Sequence, residues 1–229
     1  MINSHSSQDA SFSEFRLIRL AITKQAKHIG IIVRIKPDQA PRLLHLGFHH
    51  DLRYDELASV DHWETNYAWL DFSGFSDREM KQLAVWMETI WNVNWKNVPY
   101  GVAYSGAGYF DSVTGKFISS HTGRGLTCAT FVMAMFEDFL FPIVEWGSWP
   151  QRSSDQGFLT FIIGKLDDFV AQGKAEAAHV DAQKAALGIA PRYRPGEVAV
   201  AGAAYLGDPI NFVTSELLSR HLSNDLASI

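Results

Sequence analysis

A single thiol, Cys128, stands in the segment 123–132, GRGLTCATFV. The glycine-bearing approach and the apolar run that follows place this sulfur at the start of a helix. There the free backbone N–H groups and the positive end of the helix dipole favour a thiolate. That is nucleophile chemistry, and the Cys128 N–H itself can serve in an oxyanion hole, with the preceding glycines allowing close approach to a substrate carbonyl. The competing reading is a buried structural cysteine on an apolar helix. A nucleophilic thiol needs a base, and a third polar group to orient that base. Of nine histidines, His28 opens the β-branched run HIGIIVRI at 28–35, and His45 lies inside LLHL at 43–46. Adjacent antiparallel strands bring two such imidazoles together. Tyr100 and Tyr104, in the Gly-, Tyr- and Ser-rich loop 99–109, are candidate second oxyanion donors, and Thr127 is a candidate substrate contact beside the thiol. His121 is a rival base, expected at the rim because a Gly-rich turn separates it from Cys128.

Other groupings carry less. His45, His49, His50 and His62, with Asp51, Asp55, Asp61 and Glu64, form a stretch rich in metal-ligand types. A His-x-x-x-His spacing on a turn between strands lacks the helical face that puts two imidazoles on one ion, so no metal is expected. Asp167 and Asp168 follow the apolar stretch 158–166 and read as a solvated helix end. Trp86, Trp91, Trp95, Trp146 and Trp149 read as core residues rather than a sugar-stacking platform.

The elements that must hold these residues come next. Strands are expected at 15–22, 28–35, 43–46 and 67–72, so the first third is mostly sheet. Ser76 and Glu79 form a capping box before an amphipathic helix ending near Asn94. Residues 111–116 have hairpin-turn chemistry. The apolar region 126–149 contains Glu137, Asp138, Pro142 and Glu145, so it reads as a buried helix rather than a membrane span. Helices are expected at 154–171, 174–187 and 209–225, with loop or short strand over 191–208. Neither an internal repeat nor a low-complexity tract is visible.

Composition narrows the classes. With 229 residues the chain is long enough for one large domain with a sizeable core. A formal charge of −5 gives no general attraction for phosphate backbones, so no nucleic-acid partner is expected. One cysteine forms neither an internal disulfide nor a thiolate zinc site. Residues 1–13 are polar and Ser-rich, without the order of a secretory signal. A cytoplasmic location follows, export by a non-classical route staying open.

The order HIGIIV at 28–33, LLHL at 43–46 and LTCATFV at 126–132 resembles the circularly permuted branch of the NlpC-type papain-like cysteine peptidases, which includes the lecithin retinol acyltransferase-like proteins. In that branch the His strand precedes the Cys helix, as here. The resemblance spans residues 15–141 in outline, with motif information in about 20 of them. It implies an α+β domain with an antiparallel sheet packed on a central Cys-bearing helix, Cys128 as nucleophile, His28 as general base and His45 as its orienting residue. VPYGV at 98–102 is similar to a Pro-Tyr turn that borders the active site in this superfamily. Many peptidase members have Asp or Asn before the nucleophile and a small hydroxyl residue after it, whereas Thr127 and Ala129 stand here. The implied activity is a thiol amidase, peptidase or acyl transfer on a peptide, isopeptide or acyl substrate, without cofactor. A catalytically inactive interaction module of the same fold is the alternative. The implied organisation is a disordered start at 1–13, a permuted papain-like domain at 14–172 and a helical extension at 173–229 packed on it.

Overall fold

A computed structural model describes residues 4–6, 17–57 and 67–228. The β-branched runs of the first third form β2 (Ile18–Thr23), β3 (Ile29–Val33), β4 (Arg42–Phe48), β5 (Asp51–Glu56) and β6 (Tyr67–Leu70). With β1 (Ser4–Ser6) they make one antiparallel sheet in the order β1-β6-β2-β3-β4-β5 among the described residues. Strand β1 falls inside the stretch expected to be without order, and the rest of that stretch lies outside the described residues. Strand β5 was not expected from the sequence, because its charges mask a period-two pattern: Leu52 and Tyr54 are buried while Asp51, Arg53 and Asp55 are partly exposed.

Alternation gives the sheet two faces. Ile29, Ile31, Val33, Leu44 and Leu46 join the main core, while Ile32 and Leu43 join a smaller cluster with Ala21, Leu57, Tyr67 and Trp69. Against the main-core face pack α1 (Asp77–Asn94), α2 (Cys128–Glu137) and α5 (Pro195–Ala204). The Ser76–Glu79 capping box forms as the sequence implies, with Ser76 N–H donating to Glu79 at 2.8 Å. Helix α2 is buried from Cys128 to Phe136 but is shorter than the apolar composition of 126–149 suggests. It ends at Asp138, whose carboxylate accepts the N–H of Phe110 at 2.7 Å and that of Gly108, pinning the long loop to the helix end.

The C-terminal third departs most from expectation. Helices α3 (Gln156–Ala171), α4 (Ala177–Ala185) and α6 (Phe212–Ser228) match the expected segments within a few residues. The stretch read as loop or short strand instead contains α5, with Pro195 at its first turn, where a missing N–H costs nothing. Its Val, Ala and Gly residues are apolar on every side, so no amphipathic period marks it, and Gly202 lies where a Cβ would come within 2.6 Å of Leu20. The segment 173–229 therefore supplies a central core helix, not only an outer layer. No helix among the described residues is long and apolar enough to cross a membrane.

Candidate active site

The thiol is positioned by its helix cap. Thr127 Oγ1 accepts the Thr130 N–H at 3.2 Å and Thr130 Oγ1 accepts the Thr127 N–H at 2.8 Å. This reciprocal box fixes Cys128 as the first helical residue, and it gives the Thr127 hydroxyl a structural task. Two glycines then bring a second loop alongside. A Cβ on Gly101 would lie 2.8 Å from Gly125 Cα, and one on Gly125 would lie 2.8 Å from the Gly101 nitrogen. The closeness expected to serve a substrate carbonyl thus serves backbone packing, with Leu126 N–H donating to Pro99 and Gly101 N–H to Leu126. The bridge sets Tyr100 beside the thiol.

Tyr100 is buried, and its hydroxyl lies near the Cys128 backbone N–H. Burial and the neighbouring thiol keep this phenol protonated far above its ordinary range. Its peptide is clamped on both sides: the N–H donates to His49 Nδ1 at 3.1 Å and the carbonyl accepts from His179 Nε2 at 2.8 Å. Tyr104 sits elsewhere, its ring stacked on Tyr109 with centroids 5.2 Å apart, and its hydroxyl within electrostatic range of Glu137 and Asp138 at the opposite end of α2.

Strands β3 and β4 bring His28 and His45 together. His28 Nε2 and His45 Nδ1 are 3.0 Å apart, with the rings edge to face. Gly30 makes this possible, since a Cβ there would lie 2.8 Å from His45 Cβ. On the other side of His45, Nε2 lies 3.7 Å from Asp55 Oδ2, and His45 itself is only 3% exposed. His28 immediately precedes β3, and the N–H of Ile29, the next residue, is near enough to the Cys128 sulfur to favour its thiolate. The thiol thus lies against the peptide that follows the candidate base.

Electrostatics depart from the helix-start expectation. The N–H groups of Ile29 and Ala129 and the Arg192 charge all pull the Cys128 pKa down, but burial outweighs them and pushes it up to about 11. Burial, with His45 and Arg53, lowers His28 to about 3. Removing charge from water is the dominant effect at both groups, so the resting pair is neutral thiol and neutral imidazole.

The remaining histidines gather in a second place. His49, His50 and His179 line a cleft of about 830 Å³, and exposed His121 lies on its wall. His121 is thus grouped with this cleft rather than with the His28–His45 pair. His62, Asp61 and Glu64 lie outside the described residues. Among the described residues no group of three or more His, Cys, Asp or Glu side chains is arranged to hold a metal ion. His179 and Arg192 were missed by sequence reasoning. His179 sits in an Ala-rich helix and Arg192 in a run of prolines and arginines, and neither context marks a residue that reaches back to the first half of the chain.

No protein-family model, curated protein or solved structure matches this chain.

Proposed function

We propose that the protein is a thiol hydrolase or acyltransferase of permuted papain-like type, working through Cys128, His28 and His45. The observation that carries this reading is the His28–His45 hydrogen bond, held at the entry of the strand whose first N–H lies near a thiol at a capped helix start. With His28 Nε2–H donating to His45 Nδ1, the other nitrogen of His28, Nδ1, carries the lone pair that takes the thiol proton. His45 in that tautomer presents Nε2–H towards Asp55, so the carboxylate favours the form that keeps His28 correctly oriented.

In the reaction, Cys128 Sγ bonds to the carbonyl carbon of an amide, isopeptide or ester as its proton passes to His28. The carbonyl oxygen takes the negative charge and is met by the Cys128 N–H, with the Tyr100 hydroxyl as second donor. Collapse breaks the bond to the leaving nitrogen or oxygen, which receives the His28 proton. Water or an amine, deprotonated by His28, then cleaves the thioester and the thiol is regenerated.

A second reading also has an observation in its favour. Cys128 is only 6% exposed and its pKa is raised, which suits an inactive interaction module of the same fold. Incubation with p-nitrophenyl acetate separates the two. The enzyme reading expects a burst of one equivalent of p-nitrophenol and an acetyl adduct on Cys128 by mass spectrometry, slowed about 100-fold or more in His28→Asn, the usual range for losing a general base. Modification that occurs only after unfolding, or at the same rate in His28→Asn, would sink it.

A further inference from the structure

A pocket of about 280 Å³ is walled by Gln151, Ser153, Gln156, Asp155, Arg152 and Arg192, among others. The Arg192 guanidinium is within electrostatic range of both the Cys128 thiol and the Tyr100 hydroxyl, so it belongs at once to the pocket wall and to the surroundings of the nucleophile. Its Cζ sits over the Phe158 ring, 3.5 Å from the ring centroid, which holds the guanidinium in place.

The charges behind this arginine do not balance. Two buried carboxylates, Asp155 and Glu197, face three guanidinium groups, those of Arg152, Arg192 and Arg194. Asp155 is already served by Arg152 at 2.7 Å and by Arg194 through two donors at 2.8 and 2.9 Å. Glu197 is held by Arg152 and by the Trp149 indole N–H at 3.0 Å. Arg192 is the cation in excess. Among the described residues its one side-chain hydrogen bond, to Asp155 at 3.4 Å, is long, which leaves Nε and Nη2 without a protein acceptor. A partly buried cation with two donors to spare and less than full compensation is a site for an anion.

We propose that Arg192 and this pocket form a subsite for a carboxylate of the substrate, so that the protein acts on acyl or aminoacyl groups carrying an acidic side chain or a free terminal carboxylate next to the scissile bond. The pocket volume suits one residue-sized group rather than a long acyl chain. Planar, bidentate recognition of a carboxylate is the task that a guanidinium fork fixed on an aromatic ring performs best. This inference rests on Cys128 being the nucleophile.

The lone cysteine makes the test direct. Cys128 is alkylated with anionic iodoacetate and with neutral iodoacetamide, each rate divided by that of glutathione under the same conditions. The expected result is a preference for iodoacetate of about tenfold, the scale on which a local field raises anion encounter. Arg192→Gln should slow both reagents as the thiol pKa rises, but should slow iodoacetate about tenfold further and so remove the preference, and Arg192→Lys should keep part of it. Because Arg192 touches a buried ion network, Gln156→Glu provides a variant that leaves the network intact: an added anion in the pocket wall should also abolish the preference. A wild-type rate ratio equal to that of glutathione overturns the proposal. So does an equal loss with both reagents in Arg192→Gln, which would make the arginine a partner of the thiolate instead. If neither reagent modifies the folded protein, the nucleophile reading fails by itself, and the subsite is decided by titration with glutarate followed by NMR. Binding that disappears in Gln156→Glu keeps the subsite, and absence of binding removes it.

Discussion

Two glycines show how differently one residue type can be used. At Gly30 an added methyl would lie 2.8 Å from both His45 Cβ and the Leu44 carbonyl oxygen, between two paired strands that have no room to separate. Gly30→Ala is therefore expected to lose about 1–3 kcal/mol, the usual cost of overpacking, and to disturb the His28–His45 contact. Gly164 lies inside α3 with nothing within 4 Å of an added Cβ, so Gly164→Ala is expected to gain about 1 kcal/mol from helix propensity. Urea unfolding of both variants checks the pair, and a stabilised Gly30→Ala would contradict the packing described. That His28 and His45 meet across adjacent strands and that Cys128 opens a helix was legible from their contexts, a strand opening, a strand interior and a helix start. Tyr100 was legible only as one of two tyrosines. What separates it from Tyr104 is the Gly101–Gly125 contact, a long-range packing detail that leaves no local pattern.

Among the elements, α1 was legible from its strong period, whereas β5 was hidden by its charges and α5, apolar on nearly every side, was read as loop or short strand. Helix α1 announces itself through its cap and its one-sided stripe, whereas α5 has no polar face, its alanines are offset by two glycines and two valines, and two prolines around its start point towards loop. Tertiary burial decides its conformation. Its N-terminus is anchored by the network of Asp155 and Glu197, whose carboxylates are both almost fully buried. Asp155→Asn keeps the shape but leaves three guanidinium groups around one remaining carboxylate. Breaking a buried pair by removing one partner costs about 3–5 kcal/mol, and a thermal melt should show that loss. A near-neutral effect would mean that solvent, not Asp155, compensates the arginines.

For the whole molecule, acid sensitivity follows from its buried imidazoles. His28 and His49 are both lowered to about 3 from an ordinary 6.5, mainly by burial, and His50 is lowered too. Between pH 6.5 and 3 the unfolded chain binds protons at these sites that the folded chain does not. The stability that these imidazoles contribute is therefore complete above pH 6.5 and falls as the pH drops through that window. Urea midpoints measured from pH 7.5 down to 4 should decrease steadily, and a flat profile would show that these rings titrate normally in the folded state. The same burial sets the direction of the thiol. Alkylation of Cys128 that proceeds without His28 should keep accelerating as the pH is raised towards 11, rather than levelling off near neutrality.

The site also joins parts of very unequal separation along the chain. His28 and His45 meet across neighbouring strands β3 and β4, while Cys128 arrives only after α1 and the long loop have been placed. Contacts local in sequence close quickly and distant ones late, because the loop-closure entropy comes first. During folding, the pair of imidazoles has an early route to its final geometry within one hairpin. The thiol, by contrast, stays open to solvent and to other chains until the helical layer docks. A newly made or refolding molecule is thus most exposed to oxidation and mispairing at a residue that, once folded, is buried.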